Sequence, residues 1–341
     1  MPGRAAEYAA APSRRVLVPP VSGPLLRPAG SLVRVLAGDT MGTSWSVRFA
    51  GRPDLADETV RAAVEAAHAR VIAAMSGWNP GSDLSRYNRA EPGTWHELPG
   101  VFRTVLETAL RIAEASGGAF NPTIGRLTDL WGFGPAGAVS GFPAAVDLEQ
   151  PRRDAEWRRL RMDGARLLQP GGLALDLSGI AKGYAVDLVA ASLRDLGLAS
   201  FLVEIGGELR GEGVKPDLSP WWVALEHPPG ADALPETLVA LHGLSVATSG
   251  DYRRFRDTGS GRMAHTIDPR TGHPTRSPLV SVSVLAAECI EADAWATALI
   301  VLGPEGGLEA AERHGLAAHL VVREGDGFRE LCSPSLLALA G

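Results

Sequence analysis

Hydrophobic and polar residues alternate from Trp45 to Phe49, with Trp45, Val47 and Phe49 set against Ser46 and Arg48, which predicts a strand with one buried face. Residues 31–36 predict a strand before it, and Met41-Gly42-Thr43 falls at the entry to the second, as a turn with a core methionine. From residue 57 the spacing becomes helical. Val60, Val64, Ala67, Val71 and Met75 share one face as far as residue 76, acids occupy the first turn, and Gly77-Trp78-Asn79-Pro80-Gly81 breaks the run. Residues 82–88 predict a short capped helical turn. Residues 101–116 predict a second amphipathic helix through Phe102, Val105, Leu106, Ala109 and Ile112, ended by Gly117-Gly118.

Farther on, Asp163-Gly164 is a two-residue hairpin signal between residues 157–162 and 165–168. Residues 173–175 predict the end of a buried strand, then a turn and a helix reaching Gly197. Ser178 is its expected N-cap, and Val186, Val189, Ala190 and Leu193 form its apolar stripe. Strands follow at 200–205, 208–211, 221–225, 236–241 and 280–286, then a helix at 288–302 and a last helix and strand at 308–314 and 317–322. Helices and strands mix without a regular βαβ repeat or an internal period. The expected class is therefore α+β, one domain with a mixed, mostly antiparallel sheet core and packed helices. Gly132-Phe133-Gly134-Pro135-Ala136-Gly137 formally matches a dinucleotide-binding fingerprint, but no strand precedes it, a proline lies inside it and no helix follows, so it predicts a loop.

Composition narrows the function classes. With 341 residues, 45% of them hydrophobic, the chain can bury a full core, and a net charge of −6 disfavours nucleic acid, which rewards a basic face. No run has the apolar length of a membrane span. Cys289 and Cys332 are the two cysteines, spaced for neither a disulfide framework nor a zinc site. The first 30 residues or so, rich in Ala, Pro, Gly and Arg, predict a disordered leader before a domain at 31–341, without a signal-peptide core or a lipidation cysteine. A cytoplasmic location is the default expectation.

Three stretches could carry chemistry. In residues 176–184, Asp176 and Lys182 flank a strand-to-helix junction where Gly179 lets a ligand approach the backbone and unpaired N–H groups suit a phosphate. Asp293 and Thr297, four apart on one helix, share a face, and a carboxylate with a hydroxyl suits a hard cation such as magnesium, although two oxygens alone fit a solvated first turn as well. His265 precedes the turn Asp268-Pro269-Arg270-Thr271-Gly272 and could act as a base near neutral pH or be structural. Trp78, in a turn rather than on an apolar stripe, fits a ligand-facing ring as well as a core one.

Read together, these stretches resemble the ApbE family of FAD:protein FMN transferases. The matches run in the family's order: Met41-Gly42-Thr43, Met75-Ser76, Ser82-Asp83-Leu84-Ser85 with Asn88, and Gly118-Ala119-Phe120-Asn121-Pro122. Asp176 to Tyr184, Gly206-Gly207, Ala247 to Tyr252, His265 to Gly272, and Ala292-Asp293-Ala294 with Thr297 complete the set, which covers residues 33–334. The resemblance implies a T-fold-related domain that binds FAD with its pyrophosphate on Mg²⁺, moves FMN to a Thr or Ser of an acceptor flavoprotein through a phosphoester bond, and releases AMP. It implies magnesium ligands at Asp293, Thr297 and the Gly179 carbonyl. Flavin-nucleotide contacts fall at Met41, Trp78, Ala119, Phe120, Asn121, Asp176, Lys182 and Ile267, and the base for the acceptor hydroxyl at His265. Asn121 stands where the family usually has aspartate, and Trp78 where it usually has tyrosine. Competing readings are a Mg²⁺-dependent FAD pyrophosphatase and a non-enzymatic FAD-binding protein.

Overall fold

The structure, a computed structural model, describes residues 14–20, 27–139, 141–250, 255–257 and 262–340. Its centre is an eight-stranded sheet of β1 (Arg34–Thr40), β2 (Thr43–Ala50), β3 (Ser200–Ile205), β4 (Glu208–Glu212), β5 (Leu244–Gly250), β6 (Leu279–Ala286), β7 (Ala317–Glu324) and β8 (Gly327–Cys332). Spatial order follows chain order, and every neighbouring pair is antiparallel. The α+β expectation therefore holds.

Long insertions carry the helices. Between β2 and β3 the chain forms α1 (Asp57–Met75), α2 (Gly100–Ala115) and α3 (Ala181–Asp195), and between β6 and β7 it forms α4 (Cys289–His314). α3 packs between α1 and α4, and α4 lies on β5 and β6. Strand alternation sends Phe201, Val203 and Ile205 to this helical core, whereas Leu202, Val246 and Leu285 face a second cluster with Trp221, Val239 and Leu241. The second cluster belongs to a small sheet, so the middle of the main sheet is covered on both faces, while its edge strands stay partly exposed.

Several expectations change. The first strand is 34–40, not 31–36, because the two-residue turn at Met41-Gly42 pairs Thr40 with Thr43 and so sets the register back to Arg34 opposite Phe49. Leu32 and Val33 lie before it and are exposed. The expected leader is overturned at 14–20: Arg14–Leu17 is a strand parallel to Glu236–Leu241, and Leu17 is fully buried. Burying one such leucine contributes about 1.5–3 kcal/mol, enough to hold a short strand that composition alone leaves unstructured. Residues 1–13 and 21–26 of that leader lie outside the described residues.

Residues 157–159 form a 3₁₀ turn, leaving Arg161–Asp163 and Arg166–Leu168 as the hairpin, which also pairs with Trp95–Glu97. The predicted helices at 288–302 and 308–314 join in α4 across a kink at Gly303, whose φ is 80°, followed by Pro304. β8 and the helix Ala145–Asp154 had no counterpart in the pattern. The loop at 132–137 stays a loop.

Residues 173–175 are extended but not a ladder strand. Ala174 makes a single bridge to Ile124, and the Asn88 amide takes the place of a partner strand, accepting from Leu175 N at 2.8 Å and donating to Leu175 O at 2.9 Å. Ser178 is not the N-cap. α3 begins at Ala181, and the turn before it is shaped by Asp176, whose Oδ1 accepts from Ser178 N at 2.8 Å.

Candidate functional site

The twelve residues singled out by the sequence line one cavity of about 1110 Å³ between the helical layer, the β1–β2 turn and the 265–267 segment. Ligand cavities commonly run to about 1,000 Å³, so the space suits a large nucleotide.

At its floor α3 and α4 approach through two glycines. A Cβ on Gly183 would lie 2.4 Å from the Cys289 carbonyl oxygen, and one on Gly179 would lie 3.0 Å from Thr297 Oγ1. Gly183 N, which by helical spacing would donate to Gly179, donates instead to Asp293 Oδ2 at 2.9 Å. No backbone amide among the described residues donates to the Gly179 carbonyl. Asp293, Thr297 and Gly179 thus gather a carboxylate, a hydroxyl and a released carbonyl, hard oxygen donors that fit magnesium.

Charge supports the same fit. Asp293 is buried, and burial raises its carboxyl above the usual carboxylate range, opposed by Lys182 and the Gly183 amide. Glu208 is 1% exposed and lies after the Gly206-Gly207 turn, and its carboxyl is likewise raised by burial against the pull of Lys182, whose Nζ lies 2.5 Å from Oε1. The other oxygen, Oε2, is buried without a hydrogen-bond partner among the described residues. Among the described residues, two buried carboxylates share one lysine, a balance that a divalent cation would complete. The sequence reading passed over Glu208, since an acid at the start of a strand has no local signature, and only the neighbouring glycine pair marked its turn.

The walls are built from loops. Met41 has φ 48° and Gly42 φ 73°, positive at both centres of the β1–β2 turn. A methionine there costs about 1 kcal/mol or more, and it is held half-buried on the cavity wall rather than in the core. Trp78 is 56% exposed and joins the lining from the turn after α1, so it is not a core ring. Ala119 and Phe120 are buried in the wall of the same cavity.

Asn121 lines the cavity, but both polar ends are committed to the protein. Oδ1 accepts from Thr123 N and Oγ1 at 2.9 and 2.7 Å, and Nδ2 donates to Ala155 O at 2.8 Å. Aspartate could accept the first two bonds but could not donate the third. Asp176 takes Thr128 Oγ1 at 2.9 Å and stands near Asp129, a further lining acid whose carboxyl burial raises and which the pattern did not flag. Ile267 is buried, and His265 is half-buried with its ring edge-on to Phe133 at 6.3 Å. Asp251 and Tyr252 of the matched motif lie outside the described residues.

Comparison with known proteins places the fold in a family. Residues 41–320 match the ApbE family. The chain is 35% identical over 302 residues to an FAD:protein FMN transferase of Vibrio cholerae, covering 88% of this chain and 90% of that one. It is 36% identical over 303 residues to one of Haemophilus influenzae, covering 86% and 87%. Among solved structures, the apo flavinyl transferase ApbE of Pseudomonas stutzeri superposes with a TM-score of 0.85 at 40% identity, covering 91% of this chain and 97% of that one. The likeness spans most of each chain, and the chain belongs to the ApbE family.

Proposed function

We propose that this chain is a Mg²⁺-dependent FAD:protein FMN transferase, joining FMN to a threonine or serine of an acceptor flavoprotein and releasing AMP. The convergence of all twelve residues on one cavity carries the reading, and the relatives named as FAD:protein FMN transferases support it.

Asp293, Thr297 and the Gly179 carbonyl would hold the ion, and Lys182 stands beside it to meet the pyrophosphate. When bound, magnesium neutralises charge on the transferring and leaving phosphates. Trp78 offers an open ring face for the flavin, while Met41, Ala119, Phe120 and Ile267 exclude water from its apolar surface. His265 takes the proton of the acceptor hydroxyl as its oxygen bonds to the FMN phosphorus and the bond to AMP breaks.

The test is incubation with FAD, Mg²⁺ and a flavoprotein acceptor domain. An FMN-sized mass gain on the acceptor with matching AMP release is expected. Free FMN with AMP but no mass gain would turn the reading to a pyrophosphatase, and tight FAD binding without turnover would turn it to a binding protein.

A further inference from the structure

Glu208 is as deeply buried as Asp293, and among the described residues half of its carboxylate is without a hydrogen-bond partner. Oε1 is taken by Lys182 Nζ at 2.5 Å, and Oε2 has no hydrogen-bond partner among the described residues. An ionised oxygen left so costs several kcal/mol, a cost that a hydrogen-bond donor reaching it would remove. Lys182 cannot balance the site alone, because it also faces Asp293. Together Lys182, Glu208 and Asp293 hold a formal charge of −1, which favours a cation.

The backbone holds this arrangement. Ile205 pairs with Glu208 across the glycine turn, so Glu208 is set by the β3–β4 register and not by a mobile loop. Gly183 joins Asp293 to the first turn of α3, which also carries Lys182, so ion-site residue and lysine move as one unit. Magnesium keeps several waters when protein ligands are few, and those waters are donors that need acceptors. Carboxylates one layer out from a metal are worth about 10- to 100-fold in its affinity.

We propose that Glu208 is a positioning residue of the ion site: one carboxylate oxygen clamps Lys182, and the other accepts a hydrogen bond from a water on the magnesium ion. This rests on the reading of Asp293, Thr297 and Gly179 as a magnesium site. A structural role alone would predict that removing the Glu208 charge lowers thermal stability and leaves ion affinity untouched.

Mn²⁺, titrated by electron paramagnetic resonance into the FAD-saturated full chain, reads ion affinity without turnover. Glu208→Gln should weaken Mn²⁺ binding by about 10- to 100-fold, leave metal-free FAD affinity within about threefold, and leave the melting temperature unchanged or higher as a buried charge is removed. Asp293→Ala should abolish binding. Wild-type Mn²⁺ affinity in folded Glu208→Gln, with binding lost in Asp293→Ala, would overturn the role of Glu208 alone. Undiminished binding in Asp293→Ala would overturn the magnesium site and this proposal with it. If Glu208→Gln does not fold, Glu208→Asp keeps the charge but withdraws the oxygen by one methylene, and an unchanged affinity there would equally overturn the proposal.

Discussion

Two charge clusters in this molecule, one buried and one partly buried, are made of similar groups and behave in opposite ways. Lys182, Glu208 and Asp293 sit at the cavity floor, where burial raises both carboxyls and one oxygen has no hydrogen-bond partner among the described residues. Arg15, His319 and Glu330 sit at the β7–β8 edge, where Glu330 is held down to about 2. Its carboxylate takes His319 Nε2 at 2.9 Å and the Arg15 guanidinium at 2.5 and 3.1 Å, so the hydrogen bonds outweigh burial.

His319, Glu330 and Cys332 also present ligand-type atoms within 4.8 Å of one another. The guanidinium already supplies the positive charge there, reaching Cys332 Sγ at 3.4 Å as well, so this edge is a completed ion pair rather than a metal site. Burial alone does not mark function. What separates the clusters is whether the protein itself supplies the last partner.

Four perturbations would break or sharpen that contrast. Asp293→Ala should lower FMN transfer by roughly a thousandfold. Its stability should shift by no more than about 1 kcal/mol, since losing the Gly183 bond is offset by removing a buried charge; AMP release and thermal melting would check both. A large stability loss with activity retained would make the cavity cluster structural like the other. His265→Ala, in the same cavity but outside the cluster, should slow transfer by about a hundredfold while Mg²⁺ affinity holds. Equal losses of both would make His265 a binding residue.

At the other cluster, Glu330→Gln should cost about 2 kcal/mol in denaturant unfolding and leave transfer unchanged. The smallest effect is in pH. Glu330 lies at about 2 in the folded chain against 4.5 unfolded, so its stabilisation is complete above the higher value and lost as pH falls through the lower. After allowance for partial exposure this amounts to about 1–2 kcal/mol, and the gap between wild type and Glu330→Gln should narrow below about pH 4.5 and close below about pH 2. A gap that persisted there would mean the pair stabilises through packing rather than charge.

Much of this fold is legible along the chain because its signals are local. The alternation from Trp45 to Phe49, the stripe of α1 and the Asp163-Gly164 turn each specify an element within a few residues, and the structure keeps all three. Ser178 misled because a serine before a helix and an aspartate two residues earlier carry similar capping chemistry, and only the coordinates show that Asp176 shapes the turn. Glu208 and Arg15 could not be read this way. A carboxylate's partner or a strand's neighbour lies far along the chain, 26 residues away for the Lys182 pair and 315 for the Arg15 pair.

By itself, then, the sequence determined the elements, the α+β class and the ordered motifs that mark the family, because periodicity, breakers and short motifs act within a few residues. Tertiary structure decided that twelve dispersed residues meet in one cavity, that Asn121 spends its amide on the protein, that Arg14–Leu17 is a strand, and that one oxygen of Glu208 has no hydrogen-bond partner among the described residues. The reason is physical: burial and charge balance depend on what packs within a few ångströms, and that neighbourhood exists only once the chain has folded.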